Sequence, residues 1–196
     1  PVALVWLLVF VADLVVATTT LTTRELLAGT VLLVLVLVYL LSHQLVHRHR
    51  RWRLPKELCI ALLLTGGVCV FLITTPQVDA LTASAALFGL LCFANCALIS
   101  HWEHDVDVAH QQSSLAVDSD NHPWLIPLLP WTVAGVALAS FAVSVDPQRI
   151  VAACTLASAV LLGIVDRLER QTGRRVARVL SDVALLTPVV PLVYLL

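Results

Sequence analysis

The residues LTASAALFGLLCFANCALISHW (81–102) carry no Asp, Glu, Lys or Arg and run straight into EHDVD (103–107). A helix crossing a hydrocarbon core about 30 Å thick takes about 17–25 mostly apolar residues, so the first run reads as a membrane span. If the helix continues into the second run, Asn95, Ile99, Glu103 and Asp107 fall four residues apart and share one face. Glu103 and Asp107 are then neighbours one turn apart. Like charges at that spacing repel mildly when alone. Two readings follow: a solvated helix end with scattered acids, or a pair of carboxylates gripping a common divalent cation at the membrane surface.

Composition supports the membrane. Of 196 residues, 59% are hydrophobic and 13% charged, where soluble proteins average about 25% charged; mean hydropathy is +0.93. A soluble domain would need more polar surface than this chain owns. Net charge is −1, and no basic face with interleaved aromatics points to nucleic acid. The chain starts at Pro1 and contains no Met, so we expect the natural start, and further spans, to lie upstream. The first apolar stretch lacks the basic n-region and small-residue cleavage site of a signal peptide.

Outward from residues 81–107, six further apolar runs appear. Val2 to Ala17 holds only Asp13, and a threonine-rich turn (18–23) separates it from Leu26 to Leu41. Leu58 to Thr75 has Gly66 and Gly67 at its middle, offering close helix approach. Leu125 to Val143 has Pro127 and Pro130 in its early turns. Ile150 to Val165 and Val179 to Leu196 complete the set. No internal repeat or low-complexity linker interrupts them. The expected fold is all-α, a polytopic bundle of about seven spans forming a single transmembrane domain over residues 1–196. An acid inside a span is costly, so Asp13 should face the bundle or an interface.

Charge sets the orientation. Ten of the twelve Lys and Arg residues lie in loops 42–56 and 167–178. Cytoplasmic loops carry the Lys/Arg excess. Four expected crossings separate the two loops, so they share a side, and the count puts loop 103–124 there too. All three are expected to be cytoplasmic, with Trp52, Trp102 and Trp124 as an aromatic belt at that face. Residues 103–123 hold five acids and no Lys or Arg. A hard cation with oxygen ligands explains such a loop; Mg²⁺ takes one or two carboxylates plus substrate phosphates. Flanking arginines suit the remaining phosphate oxygens.

This layout resembles the UbiA-type superfamily of intramembrane prenyltransferases, all-helical proteins with two acidic motifs on cytoplasmic loops. The segment Glu103-His-Asp-Val-Asp107 falls where the second motif would stand, reading Glu-x-x-x-Asp where many members have Asp-x-x-x-Asp. No counterpart of the first motif is visible. Arg53-Leu-Pro-Lys-Glu57 matches a basic loop of the family, and Leu180 to Pro188 is similar to its closing segment in divergent bacterial members. The resemblance implies Mg²⁺-dependent transfer of a prenyl group from a polyprenyl diphosphate to a lipophilic acceptor within the bilayer. By motif position it implies Glu103 and Asp107 as metal ligands, with Asp105 a further candidate off their face. Arg51, Arg53 and Lys56 are candidate diphosphate contacts, their alternative being topology signals. Asn95 either lines the substrate cavity or bonds a neighbouring helix.

Two rivals stand beside this. His43-x-x-x-His47 and His101-x-x-His104 have the spacing of membrane di-iron oxidases and desaturases, although no His-His box accompanies them. A transporter or non-catalytic membrane subunit would use Asp13 and Asp182 as intramembrane acids; Asp182 alternatively pairs with Arg178, and Asp166 with Arg170, four residues apart. The cysteines, five in number and without a C-x-x-C, read as small buried hydrophobes.

Overall fold

Long apolar runs leave the backbone no water to bond, so helix is the form that satisfies every peptide group locally. The computed structural model describes residues 2–46, 55–72, 78–109, 114–118, 124–146 and 148–188. Among these the chain forms helices throughout and no strand. They are α1 (Val2–Thr20), α2 (Thr23–Val46), α3 (Lys56–Leu72), α4 (Val78–Trp102), α5 (His104–Ala109), α6 (Leu115–Asp118), α7 (Leu125–Val143), α8 (Gln148–Thr172) and α9 (Arg174–Ala184).

Four are long and apolar enough to cross a membrane: residues Thr23–Leu41 of α2, Leu81–Trp102 of α4, α7 and α8. The apolar part of α1, Leu4–Thr20, is shorter, and α3 has 17 residues. The expected seventh span departs most from expectation. Its helix, α9, starts at Arg174, carries Arg174, Arg175 and Arg178, and gives way to turns after Ala184. Residues 189–196 lie outside the described ones.

The chain groups into two compact units, Pro1–Arg50 with Gly66–Val78, and Arg51–Thr65 with Asp79–Leu196. In the first, the expected turn at 18–23 is shorter than the composition suggested. The hydroxyls of Thr18, Thr19 and Thr20 donate to backbone carbonyls three and four residues back, which keeps them helical. The break falls at Leu21–Thr22, and Thr22 restarts the chain as a capping box. Its N–H and hydroxyl both donate to Glu25 at 2.8 Å, as Ser/Thr-x-x-Glu does at helix starts. Gly66 earns its place: a Cβ there would sit 3.0 Å from Leu32 of α2. Asp13 is exposed on α1.

The core of the second unit runs through α4, α6, α7, α8 and α9. Leu91, Ala94, Ala97, Leu98 and Trp102 pack with Ile126, Val133 and Ala134, with Ala159, Leu162 and Val165, and with Ala177 and Ala184. Small residues dominate the helix faces, letting backbones approach as membrane helices do. Gly163 of α8 shows how closely: a Cβ there would meet the Trp131 ring at 2.6 Å. Arg167, one turn on, lies over the same ring at 4.9 Å. The loop expected at 167–178 is helical as far as Thr172. Its single turn is at Gly173, whose φ of +83° suits the residue without a Cβ. All five cysteines are free thiols.

Candidate functional site

The helical register expected through Glu103 is kept. Glu103 N–H donates to Ile99 O at 3.0 Å and Asp107 N–H to Glu103 O at 3.0 Å, so the i, i+4 ladder passes the one-residue break between α4 and α5. What the register could not reveal is where each carboxylate finds its partner. Asp107 is buried, and Lys56 at the head of α3 donates to both its oxygens, at 2.7 and 2.8 Å. The Ser100 hydroxyl stands 3.5 Å from the same carboxylate. Glu103 is ion-paired with Arg178 of α9. Asp105, exposed, accepts from Arg174 at 2.6 Å.

Three acids on five consecutive residues therefore meet three cations drawn from both basic segments. The first three acids of the loop that looked unneutralised in the sequence are paired with cations from elsewhere in the chain. Trp102 adds a tie at the same end of the unit, its indole N–H donating to Asp166 of α8 at 3.0 Å. The local pairs Asp166–Arg170 and Arg178–Asp182 are thus replaced by longer-range partners. The Arg174 guanidinium, by hydrogen bond first and charge second, holds the Asp105 carboxyl below its ordinary value; the His104 ring, 3.8 Å away, adds a smaller effect.

The neighbour of Lys56 was not singled out for the site. Glu57 is fully buried, and its Oε2 accepts from Leu115 N–H, the first residue of α6, at 3.2 Å. Lys56 and Glu57 thus hold the two ends of the segment 107–115. Of the other candidates, Asn95 is buried in α4 with its Oδ1 unpaired. Arg51, Arg53, His47 and Trp52 lie outside the described residues.

Carboxylate oxygens are the hard donors that Mg²⁺ takes, so the residue types at 103–107 suit it. Their arrangement here is that of ion pairs. Among the described residues no three Asp, Glu, His or Cys side chains converge on a point that could hold an ion. Comparison with protein-family models, with curated proteins and with solved structures gave no match.

Proposed function

We propose that this chain belongs to an intramembrane transferase of UbiA type, which moves a prenyl group from a polyprenyl diphosphate to a lipophilic acceptor. The observation that supports it is the balanced charge cluster at one end of an apolar helical unit. Lys56, Arg174 and Arg178 offer cations for diphosphate oxygens, and Glu103 and Asp107 would hold Mg²⁺ delivered with that diphosphate, with Asp105 beside them. The ion's chemistry there is to neutralise charge on the leaving group. Without ligand, the two sets of side chains satisfy each other.

Exchange of partners is energetically accessible for the two arginine pairs. Exposed ion pairs contribute about 0–1 kcal/mol, and both Arg178–Glu103 and Arg174–Asp105 are open to water on the arginine side. Arginine forks match phosphate as well as carboxylate. The apolar prenyl chain would lie among the helices, with the cluster and loops 42–56, 103–124 and 167–178 on the cytoplasmic face.

The pairing of each acid with its own cation supports a second reading, an electrostatic latch in a non-catalytic or transporting membrane protein. One experiment separates them. Diphosphate release from a polyprenyl diphosphate is measured with and without Mg²⁺, on the longest natural form of the chain. On the transferase reading release requires Mg²⁺ and is lost in Glu103→Ala and Asp107→Ala, while Arg178→Ala weakens binding of the diphosphate. Unchanged turnover in both acid variants, or no release at all, overturns it.

A further inference from the structure

Two buried oxygens of the second unit lack a hydrogen-bond partner: Oε1 of Glu57 and Oδ1 of Asn95. Glu57 is 1% exposed and Asn95 6%. Unpaired buried acceptors are rare and cost stability, so each asks for an explanation. Glu57 already uses Oε2 on Leu115 N–H, and the adjacent Lys56 spends its ammonium on Asp107. Among the described residues, no cation pairs with the Glu57 carboxyl. Lys56 of α3 bonds Asp107 just past α4, and a Cβ at Gly89 of α4 would meet Thr65 of α3 at 2.8 Å, so the head of α3 faces the later turns of α4, where Asn95 stands. Asn95 stands eight residues before Glu103, about 12 Å along the helix, with Leu91, Ala94 and Leu98 buried around it.

Those surroundings define the missing partner. It must donate hydrogen bonds, because both orphan atoms are acceptors. Its body must be apolar, because the neighbouring side chains are. We propose that Glu57 and Asn95 form the polar end of a binding site for a lipophilic molecule bearing a hydroxyl or amino group. Identifying that molecule as the prenyl acceptor rests on the transferase reading; the site itself does not.

The test uses the full chain in lipid nanodiscs, with para-nonylphenol and its methyl ether as probes and no diphosphate present. Binding is read by equilibrium dialysis. The wild-type protein should hold the phenol at least about tenfold more tightly than the ether, which cannot donate. Glu57→Gln keeps an acceptor for Leu115 but offers an amide N–H₂ at the orphan position, and Asn95→Leu removes the second acceptor. Each should erase most of the preference while binding the ether as wild type does, which also reports that the variant is folded. Equal binding of phenol and ether by the wild-type protein, the result if water alone fills the site, overturns the proposal without any variant. So does a preference that survives both substitutions. Loss of the transferase reading, seen as absent Mg²⁺-dependent diphosphate release, leaves this comparison unaffected.

Discussion

Lys56 Nζ lies between the two carboxylate oxygens of Asp107, 2.7 Å from one and 2.8 Å from the other, across fifty-one residues of chain. The next residue, Glu57, takes the N–H of Leu115. Two consecutive side chains at the head of α3 thereby fix both ends of the segment that follows the acid motif. The acid motif is held in place by a basic residue that the sequence places in a different loop.

Breaking one partner of a buried pair leaves an uncompensated charge, at a cost of about 3–5 kcal/mol where both are fully enclosed. Asp107 is enclosed, while the Lys56 side chain keeps 21% of its surface. Asp107→Asn should therefore destabilise the protein by about 2–4 kcal/mol, measured by thermal unfolding in micelles. The double variant Lys56→Met with Asp107→Leu should recover most of that loss. A single variant that melts with the wild type would show that the pair contributes nothing.

Asp105 and Arg174 give a pH-dependent counterpart. The folded-state value of the Asp105 carboxyl is depressed by Arg174. Its contribution is therefore present above the unfolded carboxylate value, about 3.9, and is lost as pH falls through the lower folded value. Asp105→Asn should melt slightly below wild type at neutral pH, and the gap should close in strong acid. Because the pair is exposed, about 1 M salt should close it as well. A gap that widens on acidification would mean the carboxyl is raised instead.

Packing makes a sharper demand at Gly163 than at Gly135. A Cβ at Gly163 would overlap the Trp131 ring, whereas at Gly135 nothing lies within 4 Å. Gly163→Ala should cost about 1–3 kcal/mol through overpacking. Gly135→Ala should be neutral or stabilising by up to about 1 kcal/mol, the difference in helix propensity. Equal melting temperatures for the two variants would refute the close approach of α7 and α8.

Local features were legible in the sequence, and distant ones were not. The apolar run 125–143 became α7 with the same bounds, because hydropathy over twenty residues is a property of the run itself. The threonines at 18–20 misled because hydroxyls that favour turns can also bond back to helical carbonyls. The candidate site was half visible. Acids at positions 103, 105 and 107 stand out in any window, but their cations sit in α3 and α9. Spacing rules that pair Arg178 with Asp182, or Asp166 with Arg170, weigh only near neighbours; the fold offered Arg178 a carboxylate in Glu103 and Asp166 an indole in Trp102. Glu57 gave no signal, since its burial depends on α6 closing over it.

The contacts at the charged end also fix a labelling pattern. Asp105 bonds Arg174 beside Gly173, so residues 105 and 173 lie at one end of the second unit. Residue 146 follows α7, whose start is on the far side of a 19-residue helix from its end; about 28 Å of rise separates the two. With the five free cysteines replaced by alanine, single cysteines at Asp105 and Gly173 should react with a membrane-impermeant maleimide from the same face of sealed vesicles. A cysteine at Asp146 should react from the opposite face. If the positive-inside rule holds for this chain, the shared face of 105 and 173 should prove to be the cytoplasmic one, since Arg174, Arg175 and Arg178 lie beside it. Labelling of all three positions from one side would mean that α7 does not cross the bilayer.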